Sequence, residues 1–134
     1  LPFILKGIMT REEALLAVEA GAKAIVVSNH GGRVLDSTQS TAKVLPEIAE
    51  AVKGKIMILV DGGIRTGVDI FKMIALGADA VLVGRPIIVG AFGGYREGVA
   101  TVINEMKNQL LQTMILTGAK DLASINRSMI SIEW

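Results

Sequence analysis

The chain has 134 residues, with 14 Lys and Arg against 13 Asp and Glu, one histidine and no cysteine. That length holds one domain and one core. The near-neutral, interspersed charge excludes the basic footprint of a nucleic-acid binder, and the absence of thiols excludes disulfides and thiolate chemistry, as suits the cytoplasm.

Apolar residues make up 51% of the chain and mean hydropathy is +0.51. No apolar run reaches the roughly 18 residues of a membrane helix, and no signal-peptide pattern opens the chain. The surplus apolar surface is expected to meet a partner.

Residues 3–5 read as a first buried strand, ended by Lys6-Gly7. The chain opens inside this strand without an initiator Met, so more chain is expected upstream. Thr10 and Glu13 form a capping box. Ala14, Leu15 and Val18 make the stripe of a first helix, which Gly21 stops. Residues 24–28 are a second strand. Leu45, Ile48, Ala49 and Val52 place a second helix, closed near Gly54, and residues 56–60 are a third strand. Thr66 and Asp69 start a third helix that Gly77 stops; residues 80–83 are a fourth strand. Val99, Val102, Ile103, Met106, Leu110 and Met114 make a long helical stripe, ended by Thr117-Gly118. Residues 119–134 read as a short helical turn and a loose end. Lys23, Glu47, Glu50 and Asp79 read as solvated charges, and no His/Cys/Asp/Glu group has metal-ligand spacing.

The continuous, β-branched strands suit a parallel sheet. The two halves also repeat. Gly7-Ile8 and Thr10 match Gly63-Ile64 and Thr66, and the run from Gly21 to Val27 matches that from Gly77 to Val83, both at an offset of 56 residues. A (βα)2 unit is used twice. The predicted fold is α/β: a parallel (βα)4 half of a TIM-type (βα)8 barrel over residues 1–116, with a helical extension and a tail over 117–134.

In such architectures the chemistry collects at the C-terminal strand ends. Here those ends carry Lys6-Gly7, Ser28 to Arg33, Asp61 to Arg65 and Gly84-Arg85-Pro86. His30 reads as a proton acceptor or as a hydrogen-bonded rim histidine. Gly31-Gly32 lets a planar ligand approach the backbone, and Arg33 offers a fork for a carboxylate, its plainer reading being a surface arginine. Asp61-Gly62-Gly63-Ile64-Arg65-Thr66 with Gly84-Arg85 reads as a phosphate site, because glycines bare their N–H groups and Thr66 opens a helix with a positive end. A structural glycine turn is the alternative. Asp61 accepts cofactor hydroxyls or caps a turn. Lys6 is a rim ion-pair partner or, inside a cofactor site, stabilises negative charge.

These blocks resemble the FMN-dependent α-hydroxy-acid dehydrogenases and oxidases. The resemblance rests on Leu5-Lys6-Gly7-Ile8, Ser28-Asn29-His30-Gly31-Gly32-Arg33 with Leu35-Asp36, Leu45-Pro46-Glu47-Ile48, Asp61-Gly62-Gly63-Ile64-Arg65, Ala75-Leu76-Gly77-Ala78 and Gly84-Arg85-Pro86. It implies FMN at the strand ends of a (βα)8 barrel and a small L-2-hydroxy acid as substrate. It further implies His30 as the base and Arg33 as the carboxylate clamp. Lys6, Ser28 and Gly31 would lie along the flavin, and Asp61, Gly62, Gly63, Arg65, Gly84 and Arg85 would hold the ribityl chain and phosphate. The family's first half supplies tyrosines and an aspartate that orients the histidine; Tyr95 lies beyond the fourth strand and does not match them. The implied partner is that missing N-terminal half or a second copy of this chain.

Overall fold

A computed structural model describes residues 1–131. Two capping boxes set the frame. Thr10 Oγ1 accepts from Glu13 N at 3.2 Å, and Glu13 Oε2 accepts from Thr10 N at 3.2 Å, which opens α1 (Arg11–Glu19). Thr66 and Asp69 repeat the arrangement at the start of α3 (Gly67–Ala75). These bonds satisfy backbone donors that a helix start otherwise leaves orphaned. Between them lies α2 (Thr41–Val52).

The strands β1 (Ile4–Ile8), β2 (Ala24–Val27), β3 (Met57–Val60) and β4 (Ala80–Val81) pair in sequence order, all parallel. Side chains alternate faces along a strand. Ile25, Val27, Ile58 and Val60 are fully buried on one face, in one cluster with Ala14, Ala17, Leu45, Ile48 and Val52 of α1 and α2. The other face is more open: Ile4 is 57% exposed and Met57 55%. Four parallel βα units around such a sheet are half of a (βα)8 barrel, as expected.

Four expectations change. The first strand does not end before Lys6. It continues through Lys6, paired with Val26, and Gly7 forms an irregularity (φ 102°) before Ile8 pairs with Val27. The outer strands are not buried, because β1 and β4 each lack a neighbour on one side; β4 is two residues long. The tail is not loose. Residues 122–124 and 127–129 form 3-10 turns, and Ala119 and Ile125 are buried with Phe71 and Ala75; residues 132–134 lie outside the described part. Asp79 is more than a solvated charge, since its Oδ2 accepts from Ile58 N at 2.8 Å.

The last helix, α4 (Arg85–Thr117), begins directly after Gly84, far ahead of the stripe at Val99. Gly94 and Tyr95 break its regularity, Tyr95 at φ 49°. The two segments then cross in contact: a Cβ on Gly90 would lie 2.8 Å from the Gly98 carbonyl oxygen. Gly118, at φ 74°, ends the helix in the left-handed region that favours glycine. The helix α3 packs against α4 through Gly67, where a Cβ would collide with the Met106 carbonyl oxygen.

Gly67→Ala is therefore expected to cost about 1–3 kcal/mol by overpacking. Gly93→Ala, which meets nothing within 4 Å, should be neutral or stabilising by up to about 1 kcal/mol. Chemical denaturation of both variants checks the contrast; equal losses would show that the α3–α4 approach is looser than described.

Candidate active site

Alternation along the strands puts Lys6, Ser28 and Asp61 on one side. Lys6 pairs with Val26, and Val26 with Leu59; Ser28 and Asp61 lie two residues further along the same face. Lys6 Nζ donates to Ser28 Oγ at 2.7 Å and to Asp61 Oδ2 at 2.8 Å. Ser28 is fully buried, and its Oγ also accepts from His30 N at 3.2 Å. One ammonium thus ties together the ends of β1, β2 and β3. Among the described residues the Asp61 carboxylate caps no turn; it is Lys6's ion-pair partner. An ammonium has three N–H groups, so one remains for an incoming acceptor.

The residues after Ser28 turn sharply. His30 sits at φ 54°, and Gly31 and Gly32 also have positive φ. The imidazole lies against Gly7, where a Cβ would be 3.0 Å from His30 Cε1. The ring is exposed at this rim, and no carboxylate pairs with it among the described residues. Arg33 Nε donates to His30 O at 3.4 Å, and the guanidinium remains exposed.

A cleft of ≈ 220 Å³ opens beside this network, lined by Gly31, Asp61, Gly62, Gly63, Gly84 and Arg85, with Ile64, Leu82 and Val83. Most of the predicted phosphate residues therefore meet in one place. Arg65 is at the same turn, but its side chain does not line the cleft. Lys6, Ser28 and His30 join the cleft through Asp61 and Gly31.

The two nearby helix starts differ. At α3, Asp69 Oδ2 accepts from Arg65 N at 3.0 Å and Thr66 N at 2.9 Å, while Gly67 N donates to Gln109 Oε1 at 2.9 Å. That positive end is already neutralised by the protein, so the anion-attracting start expected at Thr66 is not open. The α4 start has no capping side chain, carries Arg85 in its first turn, and faces the cleft. It is the end suited to an incoming anion.

FMN carries a phosphate on a flexible polar chain. The cleft offers that phosphate bare glycine backbone, with open space at Gly63 and Gly84, a helix start and a guanidinium. The volume suits a phosphate and part of its chain, with the remainder on the open sheet face. The residues fit the group.

The profile of the FMN-dependent dehydrogenases matches residues 1–132.

The chain belongs to the FMN-dependent dehydrogenase family.

It is 50% identical over 133 residues to a peroxisomal (S)-2-hydroxyacid oxidase of Arabidopsis thaliana, covering 99% of this chain and 37% of the relative. It is 50% identical to an L-lactate dehydrogenase of Yersinia pestis, covering 98% of this chain and 34% of that one. A crystal structure of mandelate oxidase with (S)-2-phenylpropionate superposes with TM-score 0.91 at 45% identity, over 95% of this chain and 38% of the oxidase. The chain thus spans between a third and two fifths of these proteins' lengths. No helix among the described residues is long and apolar enough to cross a membrane.

Sequence reasoning missed Thr41, whose Oγ1 donates to Asp61 O at 2.7 Å across 20 residues, and gave Asn29 no part. A hydroxyl residue opening α2 is the one local sign of the first; the contact itself has none.

Burial raises the Asp69 pKa, but hydrogen bonds from Arg65 N, Thr66 Oγ1 and Thr66 N, with the Lys72 charge, outweigh it and hold the carboxyl below its ordinary 3.8. A depressed folded pKa contributes stability above the unfolded value and loses it as pH falls through the folded one. Asp69→Asn is expected to cost about 1 kcal/mol near pH 7, the size of a helix cap, and to flatten the stability loss below about pH 4. Denaturation midpoints across that range check it.

Proposed function

We propose that this chain is the C-terminal half of the catalytic barrel of an FMN-dependent enzyme that oxidises a small L-2-hydroxy acid, of the lactate or glycolate kind, to the 2-oxo acid. The observation that carries the reading is the Lys6–Ser28–Asp61 network beside the Gly31–Gly63–Arg85 cleft, with an exposed histidine on the same rim. The relatives' printed names, a hydroxyacid oxidase and a lactate dehydrogenase, support it.

Bound FMN would supply the two-electron acceptor that turning the substrate's α-hydroxyl carbon into a carbonyl requires. The protein's own groups do the rest. Arg85, with Arg65 from the rim, neutralises the phosphate, and Gly62, Gly63 and Gly84 let it approach the backbone. Asp61 accepts from the ribityl hydroxyls, and Ser28 and Gly31 border the cofactor's planar part. Lys6 places a fixed cation at its edge. Arg33 grips the substrate carboxylate with a planar fork. His30 is the base that takes up the proton the substrate gives up on oxidation. The first-half residues that orient this histidine and position the substrate lie outside this chain.

The unpaired edges of β1 and β4 and the apolar residues Ile4 and Met57 on the open face need a cover. The preceding half of the same barrel is the proposed one. A second copy of the chain, holding FMN without hydroxy-acid turnover, is the alternative that the 56-residue repeat suggests. The proposed compartment is the cytoplasm, which suits a chain without cysteine.

Two experiments follow from this. Sedimentation of this chain alone at micromolar concentration is expected to show self-association; a monomer with a cooperative melt would argue that the edges need no partner. In the completed barrel, a yellow flavin band should bleach anaerobically with L-lactate or glycolate. His30→Gln should abolish bleaching while keeping FMN. Arg85→Ala should weaken FMN binding about 10–100-fold, the size of a lost charged hydrogen bond, and adding Arg65→Ala should weaken it further. An exchange of the two effects would overturn the roles.

A further inference from the structure

We infer that Thr41 is a positioning residue: its hydroxyl ties the base of the His30 loop to the Asp61–Gly62 turn and so holds Asp61 where it grips Lys6.

Thr41 is the first residue of α2 and is 2% exposed; Ser28 and Thr41 are the buried polar side chains among the described residues. A buried hydroxyl is costly without a partner. Its partner is not the helix it opens. The residue before it, Ser40, occupies the N-cap, and no side-chain cap bond is made there. The Thr41 proton goes instead to Asp61 O at 2.7 Å. The turn is packed directly on this side chain: a Cβ on Gly62 would lie 2.9 Å from Thr41 Oγ1 and 3.4 Å from its Cγ2.

The other end of the loop reaches the same point. Asn29 Oδ1 lies 3.7 Å from that Gly62 Cβ position and accepts from Gly31 N at 3.0 Å. Asn29 Nδ2 donates to Gln39 O at 3.3 Å. The segment carrying His30 and Arg33 is therefore closed at its base by Asn29 and seated on the Asp61–Gly62 turn through Thr41. From Asp61 the connection continues through its carboxylate to Lys6. Substrate loop and cofactor cleft share one hydrogen-bonded hinge point. Its meaning for FMN rests on the function proposed above; the tie itself does not.

The test uses the completed barrel with two variants. Thr41→Val removes the hydroxyl at nearly constant shape, and Thr41→Ser keeps it. In FMN-free protein, Thr41→Val is expected to speed amide hydrogen exchange at Asp61, whose N donates to Val27 O at 3.1 Å, roughly tenfold, while Thr41→Ser stays within about twofold of wild type. With FMN, fluorescence titration should show about tenfold weaker binding for the valine variant and near-normal binding for serine. The reduction potential of the bound flavin should fall in Thr41→Val, because a less fixed Lys6 cation stabilises added negative charge less well, and should recover in Thr41→Ser. A residue that merely fills space would not follow this hydroxyl pattern. Normal exchange at the Asp61 amide in Thr41→Val overturns the inference, whether or not FMN binds. Faster exchange with unchanged affinity and potential also overturns it, because Lys6 would then be held without Thr41. If wild type takes up no FMN, the functional reading fails, and the exchange data alone decide the tie.

Discussion

One ammonium group organises the candidate site. Lys6 leaves β1, crosses to the buried Ser28 hydroxyl at the end of β2 and reaches the Asp61 carboxylate at the end of β3. Its energetic contribution to folding is small. The lysine side chain is 45% exposed and the aspartate 23%, and pairs of this kind contribute about 0–1 kcal/mol. The core beneath, with Ile25, Val27, Ile58 and Val60 fully buried, outweighs it several-fold at about 1.5–3 kcal/mol per buried aliphatic side chain. The network is therefore better understood as a device for placing a cation at a rim than as a clamp on the fold.

Charge is distributed with the same economy around the neighbouring helix starts. The α3 start meets its own carboxylate: Asp69 takes up Arg65 N and Thr66 N. The α4 start meets no side chain and carries a guanidinium. Two similar glycine-rich turns thus have opposite electrostatic character, one closed by the protein and one open to an anion.

The features that could be read from the sequence are those with short-range causes. The capping boxes at Thr10–Glu13 and Thr66–Asp69 span three residues each, and both are formed. The 56-residue repeat marked the (βα)4 order, and the strand ends brought Gly31, Asp61, Gly62, Gly63, Gly84 and Arg85 into one cleft. What escaped depends on distant partners. The extent of β1 past Gly7 is set by pairing with β2, not by local apolarity. The tail is ordered because Ala119 and Ile125 find Phe71, far away in the chain. Asp69 sealing the α3 start was implicit in its capping box, yet its effect on anion binding shows only when every N–H is followed to its acceptor. Thr41 could not be found from spacing at all, since its partner is a backbone carbonyl.

The shortness of β4 has a consequence beyond architecture. It holds to β3 by two paired residues, Ala80 and Val81, and the cleft-lining Gly84 and Arg85 follow just beyond Leu82 and Val83. Any neighbour that adds a ladder of hydrogen bonds to its bare side would steady those two residues, and an anion gripping them would in turn steady the strand. Pairing along that edge and anion binding in the cleft would then be coupled, each strengthening the other by an equal factor.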